Sequence, residues 1–238
     1  MCRSTYESLK QISNTNQVLL CTHSPHFIDM EDYKIIYISK KQSLKAGTKI
    51  LGYHKDLFTG EEKNIFNMIR YFNPDRNEMF FADKVVLVEG ATEKSLFPLL
   101  AKRIGVFDHS VSVIDCGGKF NLKLFMIVLN AFRLSYLVLH DEDPIDPEIM
   151  PEAPKYNRDK YNAAKNVFNE NKVIKNVLDN KIGKILMISG KLEDLIEISS
   201  SQNENLGKPF AAVQKYSDPD IEISEGLQEI VREVYKLN

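Results

Sequence analysis

From residue 80 onward the chain repeats one pattern: a strand-length apolar run, a polar turn, then a helix-length amphipathic stretch. That repetition restricts the fold more than any other feature, because strands alternating with helices pack as a mostly parallel sheet covered on both faces. Lys84-Val-Val-Leu-Val88 is continuously apolar after its lysine, as a strand buried on both faces must be. Thr92 to Ile104 follows with Leu96, Phe97, Leu99, Leu100 and Ile104 at helical spacing. Val111 to Ile114, Ser135 to Leu139 and Lys184 to Ile188 read as further strands, with a helix over Phe120 to Phe132. Glu225 to Leu237 closes the chain as an amphipathic helix through Leu227, Ile230, Val231, Val234 and Leu237.

The region before residue 80 is organised differently. Thr5 to Ile12 reads as a short helix, and Gln17 to Cys21, Lys34 to Ser39 and Lys49 to Tyr53 as strands. Thr22-His23-Ser24-Pro25 marks a loop between the first two. Asp56 to Phe72 contains the Thr59-Gly60 break and a short amphipathic helix with Ile65, Phe66, Met68 and Ile69, ended by Asn73-Pro74. The expected division is therefore a small α/β piece at 1–56, a linker helix at 57–79 and the main domain at 80–238.

A chain of 238 residues, 43% hydrophobic and 27% charged, can bury a real core and is not disordered in composition. Its net charge of −2 excludes a polyanion binder driven by a basic tail, but hides a dipolar layout. Residues 151–184 hold eight basic against four acidic residues, whereas 185–238 hold five against ten. Cys2, Cys21 and Cys116 form neither a disulfide framework nor a CxxC knuckle, so a reduced, cytoplasmic compartment is expected. No apolar run approaches the ~18 residues of a membrane span, and the N-terminal residues lack the apolar stretch of a signal peptide.

Three acidic clusters fall where strands end: Glu89-Gly90-x-x-Glu93, Asp141-Glu142-Asp143 and Glu193-Asp194. In an open α/β sheet ligands bind beyond the carboxyl ends of the strands, so parallel strands would gather all three on one rim. Carboxylates so concentrated repel one another unless cations join them. Mg²⁺ and Mn²⁺ are the hard cations that oxygen donors select. Asp141 and Asp143 could share or bracket one ion, and two ions on such a rim could activate a nucleophile and neutralise a leaving oxygen in phosphodiester cleavage. Each cluster alone has a plainer reading as a turn, a helix N-terminal charge or a solvated loop.

Val86-Leu-Val-Glu89-Gly90-x-x-Glu93, followed by Leu139-His-Asp141-Glu-Asp143, resembles a Toprim domain, the Rossmann-like fold shared by topoisomerases, bacterial-type primases and the OLD (overcoming lysogenization defect) family nucleases. The flanks are similar to the last of these: Asn73-Pro-Asp-Arg-Asn-Glu-Met-Phe-Phe-Ala82, the Gly117-Gly118-Lys119 turn and Leu192-Glu193-Asp194-Leu195. Val18-Leu-Leu-Cys-Thr22-His23-Ser24-Pro25-x-Phe27 resembles the histidine switch loop of ATP-binding-cassette ATPases, which precede the Toprim domain in that family. The resemblance thus implies an α/β Toprim sheet flanked by helices, preceded by a small remnant of an ATPase domain. It implies a DNA endonuclease with two divalent cations, Mg²⁺ or Mn²⁺, normally coupled to an ATPase, homo-oligomeric when the ATPase is present, and at work in phage defence.

The resemblance also implies roles. Glu89 and Asp141 are expected as catalytic residues and, with Glu93, Asp143, Glu193 and Asp194, as metal ligands. Lys208 is the candidate for the family's transition-state lysine, with Lys215 as runner-up. His23 would be a vestigial γ-phosphate contact, since no GxxxxGK[ST] loop is present and no ATPase activity is expected from this chain alone. Lys119, Lys155, Arg158, Lys160 and Lys165 are expected DNA contacts, the last four in a basic stretch interleaved with Tyr156 and Tyr161, whose plainer reading is a solvated helical face over Val167, Phe168, Ile174 and Val177. His140 beside the acidic pair is expected to support ligands rather than act as one. The rival reading is a non-catalytic Toprim interaction module in repair or defence complexes. A phosphotransfer receiver is a third, and the Glu-Gly-x-x-Glu motif argues against it.

Overall fold

A computed structural model describes residues 2–43, 47–59, 62–198 and 207–236. The chain divides into two compact units: residues up to 82 together with 131–133, and residues 83–130 with those from 134 onward.

In the first unit, helix α1 (Cys2–Ile12) is followed by a 3-10 run at Met30–Ile35 and an antiparallel hairpin of β1 (Tyr37–Ser43) and β2 (Gly47–Gly52). Tyr37 pairs with Gly52, and a Cβ on that glycine would stand 2.9 Å from the Tyr37 ring, so the ring needs a residue without a side chain opposite it. Helix α2 (Glu62–Tyr71) stops before Asn73-Pro74, and the same pair starts α3 (Pro74–Asn77). Asn73 Oδ1 accepts from the Arg76 N–H at 3.1 Å, and proline at the first helical position has no N–H to satisfy.

The strand expected over Gln17–Cys21 is absent, and Leu19 is 94% exposed. A strand exists only by pairing, and among the described residues the sheets contain only the hairpin and the four strands of the second unit. Lys34 and Ile35 likewise belong to the 3-10 run rather than to β1, held there by Asp29, whose side chain accepts from the Glu31 N–H. The Thr59-Gly60 break and Leu237 fall partly or wholly outside the described residues.

The second unit is a four-stranded parallel sheet in the order β4-β3-β5-β6, comprising β3 (Lys84–Val88), β4 (Val111–Asp115), β5 (Tyr136–Asp141) and β6 (Gly183–Ile188). Every residue of β3 and β5 is buried, which explains their unbroken apolar runs, whereas the edge strand β6 is only partly covered. On one face, Val86, Val88, Val113, Leu137 and Leu139 pack with α4 (Ala91–Arg103), α8 (Lys208–Ser217) and α9 (Glu225–Tyr235). The intervening residues Val85, Leu87 and Ile114 point the other way, and α5 (Leu122–Phe132) and α6 (Arg158–Val177) follow on that side.

Helix α6 carries the helical face expected over Val167, Phe168, Ile174 and Val177, whereas α8 is not expressed in the sequence as a clear apolar period. What fixes their starts is local chemistry: Asn157 Oδ1 accepts from the Asp159 and Lys160 N–H groups, and Gly207 takes φ +73° before Pro209. Two polar clamps close the unit. The Arg103 guanidinium donates to the carbonyls of Tyr216, Pro219 and Ile221 at 2.8–3.0 Å. Buried Lys84 donates to the carbonyls of Glu233 and Lys236 at 3.0 and 2.7 Å, at the C-terminal end of α9. No helix among the described residues is long and apolar enough to cross a membrane.

Candidate functional site

Because all four strands run the same way, their carboxyl ends form one rim, and the acidic clusters project from it. Glu89 immediately follows β3. Its Oε1 accepts the backbone N–H of Asp141 at 2.9 Å, tying the end of β3 to the end of β5. Asp141 in turn accepts, through Oδ1, the N–H of Leu192 at 3.0 Å, which brings the short helix α7 (Leu192–Leu195) onto the same rim. Glu93 lies in the first turn of α4 and is 8% exposed, with its carboxylate beside Gly90.

Burial and repulsion act together on these groups. Burial pushes Glu93 up to about 8, reinforced by Asp141, Glu89 and Glu193. Burial pushes Asp141 up to about 7, reinforced first by Glu89, while the Leu192 N–H opposes the rise. Glu89 is also raised, again by burial, against the stabilising bond from Asp141. Burial acts on Glu193 too, but the hydrogen bond and charge of Lys208, 2.6 Å away, outweigh it and leave the carboxyl below the ordinary range.

Lysines interleave with the carboxylates. The turn after β4 uses Gly117 and Gly118 at φ +73° and +120°, backbone that side-chain-bearing residues rarely adopt. Gly118 N–H donates to the Glu89 carbonyl at 2.6 Å, and the next residue, Lys119, is thereby driven inward. Its ammonium donates to the Asp141 carbonyl at 2.6 Å and to Asp143 Oδ2 at 2.9 Å, and Lys119 is only 4% exposed. Lys119 is therefore no surface contact for DNA, as the sequence reading had it; the double-glycine turn makes it part of the acidic site. Asp143, at φ +51°, also stands 4.0 Å from the Lys191 ammonium.

Of the expected site residues, the structure brings together Glu89, Glu93, Asp141, Asp143, Glu193 and Lys208 along the rim. Asp194 is exposed near Gly190, outside the coupled group. Lys215 instead donates to the Ile196 carbonyl at 2.9 Å. His140 is buried, its Nδ1 2.8 Å from the Asp141 carbonyl, and burial lowers its pKa, so it is a neutral ring bracing the loop. His23 is exposed in the first unit. Lys155 pairs with Glu148 at 2.6 Å, and Arg158, Lys160 and Lys165 are exposed on α6. Two residues escaped the sequence reading: Lys191, and Asp115 at the end of β4, whose Oδ1 accepts the Gly117 N–H at 2.7 Å. The Asp-Cys-Gly-Gly-Lys order around that turn was the available signal.

Among the described residues no three His, Cys, Asp or Glu side chains are gathered closely enough to hold one ion as they stand. The reason lies in their present partners: Glu89 and Asp141 each spend an oxygen on a backbone N–H, Asp143 faces Lys119, and Glu193 faces Lys208. In chemistry the set still suits a hard cation, since every donor is a carboxylate oxygen and the cluster is strained by its own negative charge.

Residues 80–143 match the family described as overcoming lysogenization defect protein-like, TOPRIM domain. Over 137 residues the chain is 29% identical to an OLD nuclease of Thermus scotoductus; the match takes in 55% of this chain and 26% of that protein, so it spans about a quarter of the relative's length. Among solved structures, the C-terminal region of the Xanthomonas campestris pv. campestris OLD protein shares 21% identity at a TM-score of 0.30, covering 66% of this chain and 81% of that one. The corresponding region of the Burkholderia pseudomallei OLD protein shares 17% at 0.31, covering 65% and 83%.

Proposed function

We propose, from the match of residues 80–143 to the OLD-like Toprim family, that the second unit is the catalytic module of a metal-dependent DNA endonuclease. The observation that supports this most is the buried, mutually repelling group of Glu89, Glu93 and Asp141 at the ends of neighbouring strands. Burying like charges together is unfavourable, and a ligand of opposite charge relieves it. Glu89, Asp141 and Asp143 would hold one divalent cation, and Glu93 with Glu193 a second, which Asp194 would join only by turning inward from its exposed position. Bound there, Mg²⁺ or Mn²⁺ supplies Lewis-acid polarisation of a scissile phosphate and neutralises the leaving oxygen.

The chain's own residues have distinct tasks in this reading. Glu89 and Asp141 each keep one oxygen on a backbone donor, which orients the other for a cation. Lys119 holds Asp143 and the Asp141 carbonyl in place. Lys208, paired with Glu193 and half exposed, would exchange that carboxylate for a phosphate oxygen. Coupling to an ATP-binding-cassette ATPase, in an oligomer, belongs to the same proposal and rests on the His23 segment.

Plasmid nicking in Mg²⁺ or Mn²⁺ is the test. Activity that disappears in Glu89→Ala and Asp141→Ala supports the reading; no nicking by the parent protein, or variants as active as the parent, refutes it. The Lys119–Asp143 ion pair favours the second reading, a Toprim interaction module without catalysis, because it occupies an expected ligand. Calorimetric Mn²⁺ titration separates the two, the interaction module predicting no saturable binding that depends on Glu89 and Asp141.

A further inference from the structure

Helix α6 is most firmly fastened to its unit through its second half. Its buried residues are Glu170 and Ile174. Asn171 Nδ2 donates to the Glu142 carbonyl on the acidic rim, and Asn130 Nδ2 donates to the Val177 carbonyl, both at 2.8 Å. From Arg158 to Asn169 no residue is buried, which makes an arm roughly 18 Å long at ~1.5 Å per residue.

One line of that helix is regular. Arg158, Asn162, Lys165, Asn169, Lys172 and Asn176 follow in steps of four and three, and all six are exposed. A cation therefore recurs every seven residues, about 10.5 Å, with an amide donor between each pair, and the line drifts only ~20° per repeat. Among the described residues none of the three cations is in an ion pair; Lys165 stands over the Tyr161 ring at 5.6 Å. A helix face that only needed solvation would interleave acids with lysines at i, i+4, and asparagine is a poor helix former. This line keeps asparagine at three positions and has no acid. Asp159 sits off it in the first turn, and Glu170 faces the body near Lys123 at 3.8 Å.

We infer that this line on α6 is a track for the phosphodiester backbone of duplex DNA, leading to the rim beside Lys172, one residue from the Asn171–Glu142 contact. The complementarity is of charge; the choice of DNA among polyanions rests on the nuclease reading. Lys155, paired with Glu148, and Lys160, about 200° around the helix from Arg158, lie off the track.

The test is binding of a 30-base-pair duplex by fluorescence anisotropy, without divalent metal, over a range of salt. Arg158→Ala, Lys165→Ala and Lys172→Ala combined should flatten log Kobs against log [salt] by about 2.7, at roughly 0.9 per phosphate contact. A control combining Lys102→Ala, Lys181→Ala and Lys236→Ala, exposed lysines away from the track, removes the same charge and should leave the slope near the parent's. Circular dichroism checks helicity, which alanine should preserve or raise. A parent that binds no duplex, a track variant with unchanged slope, or a control that flattens it equally overturns the inference. Binding through the track without metal-dependent nicking would leave the inference standing and sink the nuclease reading.

Discussion

Glu93 is buried at the first turn of α4 with its pKa raised from 4.5 to about 8, and replacing it by glutamine makes the consequence measurable. Between those two values the folded protein keeps a proton that the unfolded chain has already released. The folded state binds more protons there, so stability falls as the pH rises, and the loss is complete above the folded pKa. At about 1.4 kcal/mol per pKa unit, a shift of about 3.5 units corresponds to roughly 5 kcal/mol between pH 4.5 and 8, a large share of an ordinary domain's stability. Asp141, raised to about 7 and coupled to Glu89, steepens the same slope below pH 7. Urea unfolding of the metal-free protein at pH 5, 6, 7 and 8 should therefore show stability declining across the series. Glu93→Gln should flatten that decline and gain on the order of 3–5 kcal/mol at pH 8. A parent protein equally stable at pH 5 and 8, or a glutamine variant with the parent's slope, would refute the argument that burial and repulsion dominate the rim.

Three other perturbations follow from specific contacts. Gly183→Ala puts a Cβ 2.7 Å from the Oη of buried Tyr136, its partner across β5 and β6, and should cost about 1–3 kcal/mol by overpacking; an unchanged urea midpoint would contradict it. Arg103→Ala leaves the carbonyls of Tyr216, Pro219 and Ile221 without their donor and should cost about 2–4 kcal/mol, read as a lower thermal midpoint. Lys119→Met strands Asp143, which is one-fifth exposed, so the cost in metal-free protein should be about 2–3 kcal/mol, below that of a fully buried pair. Calorimetry on the same variant should show weaker Mn²⁺ binding, since Lys119 holds Asp143 and the Asp141 carbonyl in place, and tighter binding would mean that Lys119 chiefly competes with the cation.

The central strands were legible because burial on both faces leaves a continuous mark in sequence: Lys84–Val88 and the run ending at Leu139 could scarcely be anything else. The gathering of Glu89, Asp141 and Glu193 on one rim followed from parallel strand direction alone. The position of Lys119 did not, since it depends on two consecutive glycines at positive φ, and a reading by charge sends a lysine outward. Gln17 to Cys21 shows the converse. Its apolar run satisfies strand propensity, but propensity supplies no partner, and the segment remains unpaired. Helix α6 was legible only through the apolar face of Val167, Phe168, Ile174 and Val177, and α8 stayed hidden because few of its residues are buried, so no clear apolar period was written into it.

The Lys84 clamp has a topological consequence. By reaching from the first residue of the sheet's first strand to the carbonyls of Glu233 and Lys236, it ties together points 149 and 152 residues apart in the chain. A tie across so long a loop is costly to close before the rest of the sheet has formed, so it belongs to the late part of folding. Lys84→Met should accordingly speed unfolding far more than it slows refolding.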